Sequence, residues 1–190
     1  MIVDLIRHAD TGRRGHLDGR SDPPLLPGAL APVLSRHVGL RWSHIVTSPL
    51  TRALSTAAAL SQSSAVPVEV DPRWAELDFG AWDGLPSADV DPDALAAFHE
   101  DPGLHGPPGG EGWDTFRERV RGGLEDVFSE LSPVLIVSHA ATMRMALSLA
   151  CGLPIPSSWA IRIDYGTRLR LSLQHGAEGL WGELLEIVQP

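Results

Sequence analysis

Arginine, histidine and serine residues stand just beyond three short apolar stretches of this chain. The group comprises Arg7 and His8, Ser48 and Arg52, and Ser138 and His139. A guanidinium pairs bidentately with the oxygens of a phosphoryl group, and a neutral imidazole can attack its phosphorus atom. If the stretches are neighbouring parallel strands, these side chains meet beyond one sheet edge, where α/β proteins bind ligands. The pattern therefore predicts a phosphoryl site, and histidines that merely pack at strand ends are the alternative.

The elements that must position these residues follow from apolar patterning. Buried strands are predicted at Ile2–Ile6, His44–Thr47, Val66–Val70 and Val134–Val137. Three more are predicted near Ala160–Ile163, Arg168–Leu173 and Leu184–Val188. Helical spacing predicts helices over Leu30–Val38, Pro49–Leu60 with Ser48 as its cap, Asp91–His99, Trp113–Leu131 and Thr142–Cys151. This alternation predicts an α/β protein, a three-layer α/β/α sandwich with a mostly parallel central sheet.

Length and composition narrow the class of protein. The 190 residues fit one domain over 1–190, with a short cap-like insertion at about 86–112. A formal net charge of -9 argues against general binding to nucleic acid or to anionic membranes. No apolar run approaches the ~18 residues that span a bilayer, and the N-terminal segment lacks the features of a signal peptide. We therefore expect a cytoplasmic protein that binds neither nucleic acid nor membrane.

Metal and disulfide chemistry find little support in the sequence. Cys151 is the one cysteine, which excludes an intramolecular disulfide and a cysteine-based metal site. The eight histidines are dispersed, and no two are four residues apart as in a zinc-binding H-x-x-x-H pair. We therefore expect no metal.

Four sequence motifs follow one another along most of the chain. They read L-I-R-H-A-D-T-G from Leu5, S-P-L-T-R-A-L-S-T-A from Ser48, L-D-F-G-A-W-D-G from Leu77 and V-S-H-A-A-T-M-R from Val137. In these motifs and their order the chain resembles the histidine phosphatase superfamily, also called the phosphoglycerate mutase-like branch. The resemblance implies the phosphoglycerate mutase-like fold and an enzyme that forms phosphohistidine without a metal or a cofactor.

The resemblance also implies a role for each catalytic residue. His8 is implied to be the phosphorylated nucleophile and Glu76 the proton donor. Arg7, Arg52 and His139 are implied to hold the phosphate, and His139 is expected to stay protonated against it. A buried structural histidine is the alternative at the last position.

Physical chemistry is consistent with the first two roles. His8 must attack with a neutral ring nitrogen while its other nitrogen donates a hydrogen bond, and we expect a backbone carbonyl as acceptor. The two neighbouring arginines favour that neutral form. Glu76 must be a neutral acid to protonate a leaving alkoxide, and the charge of the bound phosphate favours this state. Asp78 and Asp83 are its rivals for the role.

Other residues are candidates for substrate contact. They are Thr11, Gly12, Arg14, Arg20, Ala140 and Trp82. Thr11 and Gly12 can offer a hydroxyl and amides to a phosphate, or they form an ordinary turn. Arg14 lies where many family members have a substrate-facing asparagine, so the loop arginines reach an anionic or polar part of the substrate unless they are solvated. Trp82 and Trp113 are expected to form walls of the substrate pocket.

Within the superfamily the choice is between a phosphatase and a mutase. Mutases of this type carry longer insertions and a C-terminal tail that closes the site, whereas this chain stops soon after its last predicted strand. We therefore expect a phosphatase of a small phosphorylated metabolite. The D-F-G-A-W-D-G and P-P-G-G-E-G stretches resemble those of α-ribazole phosphatases, which suggests α-ribazole 5′-phosphate as the substrate. A mutase and a non-catalytic phospho-ligand-binding domain are the alternatives, and a homodimer is left open.

Overall fold

The computed structural model describes residues 1–128, 132–177 and 179–190. Within these residues, six strands form one sheet. They are β1 (Ile2–Arg7), β2 (His44–Thr47), β3 (Val68–Val70), β4 (Val134–Ser138), β5 (Arg168–Gly176) and β6 (Gly179–Val188). Their order is β3-β2-β4-β1-β5-β6, in which β1 to β4 are parallel and β5 and β6 run antiparallel to their neighbours. The strands that carry the motifs therefore form the predicted parallel part of the sheet.

Six helices surround the sheet in the described part of the chain. They are α1 (Leu30–Arg36), α2 (Thr51–Ser64), α3 (Pro92–Glu100), α4 (Trp113–Val127), α5 (Ala140–Cys151) and α6 (Ile155–Ser158). Helices α1 and α2 pack on one face of the sheet, and α4 and α5 pack on the other. The predicted three-layer sandwich is confirmed. No described helix combines the length and the apolar character that a bilayer crossing requires.

Strand β1 shows why the central strands read as almost continuous apolar runs. Val3 and Leu5 face the layer of α4 and α5, whereas Ile6 faces the layer of α1 and α2. All three side chains are fully buried. A strand covered on both faces needs apolar residues at successive positions, and each such side chain contributes about 1.5–3 kcal/mol on burial.

Asp4 is a charged residue in the buried middle of β1. Its carboxylate accepts hydrogen bonds from Trp42 Nε1 at 2.8 Å, from Arg168 Nη1 at 2.9 Å, and from Arg170 Nε and Nη2 at 2.9 Å each. Burial alone raises the pKa of Asp4, but these hydrogen bonds and the charge of Arg168 bring it below its usual value. Arg168 also pairs with Glu186 at 2.7 Å. The charges in this cluster are therefore matched by opposite charges.

Two predicted elements differ from the structure for identifiable reasons. The strand predicted at Ala160–Ile163 is wrong, because carbonyls of this segment accept hydrogen bonds from arginine side chains instead of pairing with a strand. Helix α2 begins at Thr51 rather than at Pro49, and its first amide donates to Asp22 at 2.6 Å. A carboxylate from a distant loop therefore replaces the predicted Ser48 cap.

The remaining elements shift by a few residues. Helix α1 ends at Arg36, β3 begins at Val68, and α4 ends at Val127. Leu131, the predicted end of that fourth helix, lies outside the described residues.

Candidate active site

A cavity of about 210 Å³ lies where β1, β2 and β4 end. Arg7 and His8 reach it from the end of β1, Arg52 from the first turn of α2, and Ala140 from the start of α5. Glu76 joins them from the loop that precedes α3. The parallel order of the three strands thus brings together residues that are far apart in the sequence.

His8 is held with one ring nitrogen already occupied. Its amide donates to the Ser138 carbonyl at 3.0 Å, and its Nδ1 lies 2.8 Å from the Ala9 carbonyl oxygen. Because a carbonyl can only accept, Nδ1 carries the proton and Nε2 is left as the unprotonated nitrogen. Burial, together with the charges of Arg7 and Arg52, lowers the pKa of His8 well below its usual value. His8 is therefore a neutral imidazole at neutral pH, as a nucleophile must be.

Several residues near His8 have a buried nitrogen atom without a hydrogen-bond partner. Among the described residues these atoms include Arg7 Nε, Arg52 Nε and His139 Nδ1. The rings of His139 and His8 lie 5.1 Å apart between centroids. An unpaired buried donor costs about 1–3 kcal/mol, so a fold that keeps several together suits a ligand that accepts from them. The chemistry of these donors fits an anion such as phosphate.

His139 occupies the N-cap position of α5. Its Nε2 lies 2.7 Å from Ser48 Oγ, so Ser48 contacts this histidine instead of capping α2 as predicted. Burial lowers the pKa of His139 well below its usual value, and the proximity of His8 and of the Arg52 and Arg7 guanidinium groups adds to that effect. Without a ligand His139 is therefore neutral, and the protonated state expected beside a phosphate requires the anion to be bound.

Arg52 is fully buried and fixes the loop that follows β1. Its Nη1 donates to the Ser21 carbonyl at 2.6 Å and pairs with Asp22 at 3.2 Å. Its Nη2 donates to the Asp18 carbonyl at 2.7 Å. Asp22 in turn accepts from the Thr51 amide. The loop and the guanidinium therefore hold one another in place.

Tyr165, the one tyrosine of the chain, was not predicted as a site residue. Its ring lies 4.0 Å from the guanidinium carbon of Arg7 and 5.3 Å from the His8 ring. Its hydroxyl lies 3.0 Å from Thr11 Oγ1. Tyr165 therefore supports Arg7 and Thr11, and no motif surrounds it that could have indicated this.

Glu76 lies at the N-terminus of α5. Its carboxylate accepts from the Ala141 and Thr142 amides at 3.2 and 3.1 Å, and from Thr142 Oγ1 at 3.1 Å. The first amides of a helix have no partner within the helix, so they are available to a side-chain oxygen such as those of Glu76. Helix α5 thus fixes Glu76 beside the histidines.

Arg119 of α4 holds the segment that carries Glu76. It donates to backbone carbonyls of that segment, at 2.6, 2.8 and 3.0 Å. The acceptors belong to Arg73, Ala75 and Glu76. Glu111 orients Arg119 through Nε at 2.6 Å and Nη2 at 2.8 Å. The pair joins the loop before α4 to the helix itself.

The rival acids have other partners and do not line the cavity. Asp83 accepts from the Gly19 amide at 2.7 Å and from the Ser21 amide at 2.9 Å. Asp78 pairs with Arg20 at 2.7 Å. A Cβ at Gly19 would lie 2.3 Å from the carbonyl oxygen of residue 77, so the two loops can approach this closely only at a glycine.

The predicted substrate-binding residues divide into two sets. Thr11 and Ala140 line the cavity. Gly12 does not, and its amide donates to Asp10 at 2.7 Å. Arg14 is largely exposed and pairs with Asp10 and Asp164, and Arg20 is more exposed still. The structure therefore places the loop arginines outside the cavity.

Part of the cavity wall is apolar. It includes Leu17, Phe79, Phe98, Trp159 and Ile163. Trp82 and Trp113, the tryptophans that the sequence suggested, do not line it and pack edge-on against Phe98 at 5.8 and 6.3 Å. Trp159 takes the expected position instead, with its Nε1 donating to the His99 carbonyl at 3.0 Å.

Metal ligands do not gather in the described part of the chain. No group of three or more histidine, cysteine, aspartate or glutamate side chains there could hold a metal ion. Positive charge in the cavity comes from guanidinium groups.

Comparisons with known proteins agree with this geometry. A protein from Mycobacterium tuberculosis described as bifunctional is 36% identical over 159 residues, which cover 77% of this chain and 43% of that protein. The chain thus spans less than half the length of that relative. The adenosylcobalamin/alpha-ribazole phosphatase of Salmonella typhimurium is 28% identical over 176 residues, 87% of each chain.

Solved structures share the fold. A mycobacterial glucosyl-3-phosphoglycerate phosphatase in complex with VO3 superposes with a TM-score of 0.82 at 24% identity, covering 96% of both chains. The family model of the histidine phosphatase superfamily (branch 1) matches residues 3–181. This match covers nearly the whole chain, and the protein belongs to the histidine phosphatase superfamily.

Proposed function

We propose that this chain is a phosphatase that hydrolyses phosphomonoesters of small metabolites through a phosphohistidine at His8. One observation carries the proposal. A neutral imidazole with Nδ1 bound to a carbonyl lies among buried nitrogen atoms of Arg7, Arg52 and His139 that have no protein partner. Membership of the superfamily supports the same chemistry.

In the first step His8 Nε2 attacks phosphorus and the bond from phosphorus to the alcohol oxygen breaks. Arg7, Arg52 and His139 donate to the phosphoryl oxygens, where negative charge is concentrated in the transition state. Glu76 gives a proton to the leaving alkoxide, so the alcohol departs neutral. The products of this step are the alcohol and phosphohistidine.

In the second step water attacks the phosphorus of phosphohistidine. The Glu76 carboxylate takes a proton from that water, the N–P bond breaks, and inorganic phosphate leaves with His8 neutral again. The guanidinium groups supply the positive charge that a metal provides in other phosphatases, so the proposal requires neither metal nor cofactor. The segment 86–112 serves as a cap, because Phe98 and His99 of α3 line the cavity.

The natural substrate is proposed only as a class. The Salmonella relative supports testing α-ribazole 5′-phosphate, as the motifs suggest. A panel of phosphorylated metabolites that includes this ester, read as released phosphate, ranks the candidates. A panel member hydrolysed far faster than simple aryl phosphates identifies the class.

A cytoplasmic location stays a prediction, and a homodimer stays open. The net charge of -9 supports the absence of nucleic-acid and membrane partners. Light scattering of the purified protein measures the oligomeric state, and a monomer mass contradicts the homodimer.

The first test is incubation with p-nitrophenyl phosphate between pH 5 and pH 8. We expect p-nitrophenol release by the wild type, none by His8→Ala, and an acid-labile phosphoenzyme on the wild type alone. Absence of release by the wild type contradicts the proposal and favours a binding domain. Rapid interconversion of monophosphoglycerates in the presence of 2,3-bisphosphoglycerate indicates a mutase instead.

A further inference from the structure

Arg144 of α5 is a cavity-lining arginine that the mechanism above does not use. Its Nη1 donates to the carbonyls of Ser158 and Ile161, the latter at 2.8 Å. Its Nε and Nη2 have no partner among the described residues. Its guanidinium carbon also lies 5.0 Å from the ring of Trp159. The side chain is therefore held firmly, yet one edge of the guanidinium is unused.

The unused edge is the one that other arginines of this chain present to carboxylates. Arg13 binds Asp18 through Nε and Nη2, Arg170 binds Asp4 in the same way, and Arg119 binds Glu111 likewise. These two donors match the two oxygens of a planar carboxylate. Arg144 thus presents a carboxylate-binding edge without a carboxylate.

The distribution of charge in the cavity also favours a carboxylate as the partner of Arg144. No carboxylate of the described residues lies within ion-pair distance of Arg144, whereas the cavity-lining Asp18 is already paired with Arg13 at 2.8 Å. Burial lowers the pKa of Arg144 to about 10, the charge of Arg7 adds to this effect, and the charge of Glu76 opposes it. The negative charge of a phosphate bound at His8 is matched by Arg7 and Arg52. Glu76 also lines the cavity, but its carboxylate accepts from the Ala141 and Thr142 amides, so an anion of the substrate can match this third guanidinium.

We infer that Arg144 binds a carboxylate carried by the alcohol part of the substrate. The inference rests on the proposed function, because it places the phosphate at His8 and the alcohol against the apolar wall of the cavity. Phe98 and Trp159 then enclose the carbon skeleton between the two charged groups. The substrate class is a phosphate ester of a hydroxy acid.

This class separates candidates that the comparisons leave together. α-Ribazole 5′-phosphate has no carboxylate, whereas esters built on phosphoglycerate do. The structure therefore favours the second kind of substrate for this chain.

The kinetic test compares phenyl phosphate with 3-carboxyphenyl and 4-carboxyphenyl phosphate. We expect the wild-type kcat/KM for at least one carboxylated ester to exceed that for phenyl phosphate by about tenfold, the effect of hydrogen bonds to a charged group. Arg144→Gln brings this ratio to about one, and Arg144→Lys, which keeps the charge but loses the planar edge, gives an intermediate ratio. The ratio is the readout because a general disturbance of the fold lowers both values.

The matched control is Arg117→Gln, a change of an exposed α4 arginine that pairs with Asp114. It retains the wild-type ratio. Equal kcat/KM values for all three esters, or a preference that survives Arg144→Gln, overturn the inference and leave Arg144 as a clamp for the carbonyls of Ser158 and Ile161.

A binding measurement separates this inference from the proposed function. Calorimetry with benzylphosphonate and 4-carboxybenzylphosphonate needs no turnover, since the P–C bond is not hydrolysed. Tighter binding of the carboxylated compound that depends on Arg144 supports the carboxylate site even when no ester is hydrolysed. Hydrolysis of phenyl phosphate without any effect of the carboxylate, in kinetics or in binding, supports the phosphatase and rejects the carboxylate site.

Discussion

Two groups of arginines lie along β1, one near its middle and one at its end, and they differ in how their charge is matched. Near the middle of β1, Arg168 and Arg170 both bind the carboxylate of Asp4. At the end of β1, Asp22 pairs with Arg52, and no carboxylate of the described residues lies within ion-pair distance of Arg7. In the first group two carboxylates, Asp4 and Glu186, match two guanidinium groups, whereas the second group has one guanidinium more than it has carboxylates and can take up an anion from outside.

A structural charge cluster differs from a binding site in the balance of its charges. A buried charge with matched partners is destabilising only when a partner is removed, whereas buried cations in excess already cost stability and are relieved by a ligand. Removing a charge should therefore lower the stability of the fold in the first group and the activity in the second.

The largest effect on stability is expected for Asp4→Asn. This change leaves Arg168 and Arg170 without the carboxylate that joins them, which costs about 3–5 kcal/mol of unfolding free energy. Urea denaturation measures the loss, with Glu125→Gln on the exposed side of α4 as control. The kcat/KM for p-nitrophenyl phosphate of the molecules that remain folded stays near wild type. A loss below about 1 kcal/mol would remove the distinction between the two groups.

For Arg52→Ala we expect kcat/KM to fall at least about a hundredfold, or ~3 kcal/mol, because phosphate charge is left unmatched. Vanadate, added as a phosphate analogue, raises the melting temperature of the wild type and of Asp4→Asn, but not of this variant. Steady-state kinetics and thermal melts check both statements. Near-normal kinetics would exclude Arg52 from the site.

The pH dependence of stability also distinguishes the histidines of the site from the Asp4 cluster in β1. Because the folded pKa values of His8 and His139 are lowered, the unfolded chain takes up more protons as the pH falls below about 6.5. The unfolding free energy then decreases by about 1–3 kcal/mol per pH unit between pH 6.5 and pH 5. Asp4 contributes in the same sense only at more acid pH, since its pKa lies below the usual carboxylate value.

Urea denaturation at several pH values measures this slope. The double variant His8→Gln/His139→Gln should have a shallower slope in the same window. An unchanged slope would mean that these histidines are not buried neutral in the folded protein.

The smallest effect is expected for Tyr165→Phe. The variant keeps the ring over Arg7 and loses the hydrogen bond with Thr11, so kcat/KM should fall about three- to tenfold. Thr11→Val should give a similar loss, and the double variant little more, since both remove one interaction. Additive losses in this double-mutant cycle would show that the two hydroxyl groups act separately.

Much of the fold could be predicted from sequence because buried parallel strands leave a continuous apolar trace. His44–Thr47 and the start of α4 at Trp113 agree residue for residue with the prediction. The start of α2 could not be predicted, because its amide partner is Asp22, far away in the chain. The segment 160–163 has the composition of a strand, yet its carbonyls bind arginine side chains. Local pattern does not reveal such distant partners.

Some residues of the site could likewise be predicted from the sequence, and others could not. His8, Arg52 and Glu76 lie within or beside recognisable motifs, and the structure brings them to one cavity. Tyr165 and Trp159 come from a segment without a motif and reach the cavity through the turn after α6. Their positions depend on tertiary packing, which spacing in the sequence does not encode.

The contacts between Arg52 and the loop after β1 have a consequence for ligand affinity. Since the guanidinium is anchored to the Ser21 and Asp18 carbonyls before any anion arrives, its conformational entropy is lost during folding rather than during binding. An incoming ester meets a rigid, pre-organised receptor. Changes that loosen this loop should therefore weaken capture of the ester even when no atom that touches it has been altered.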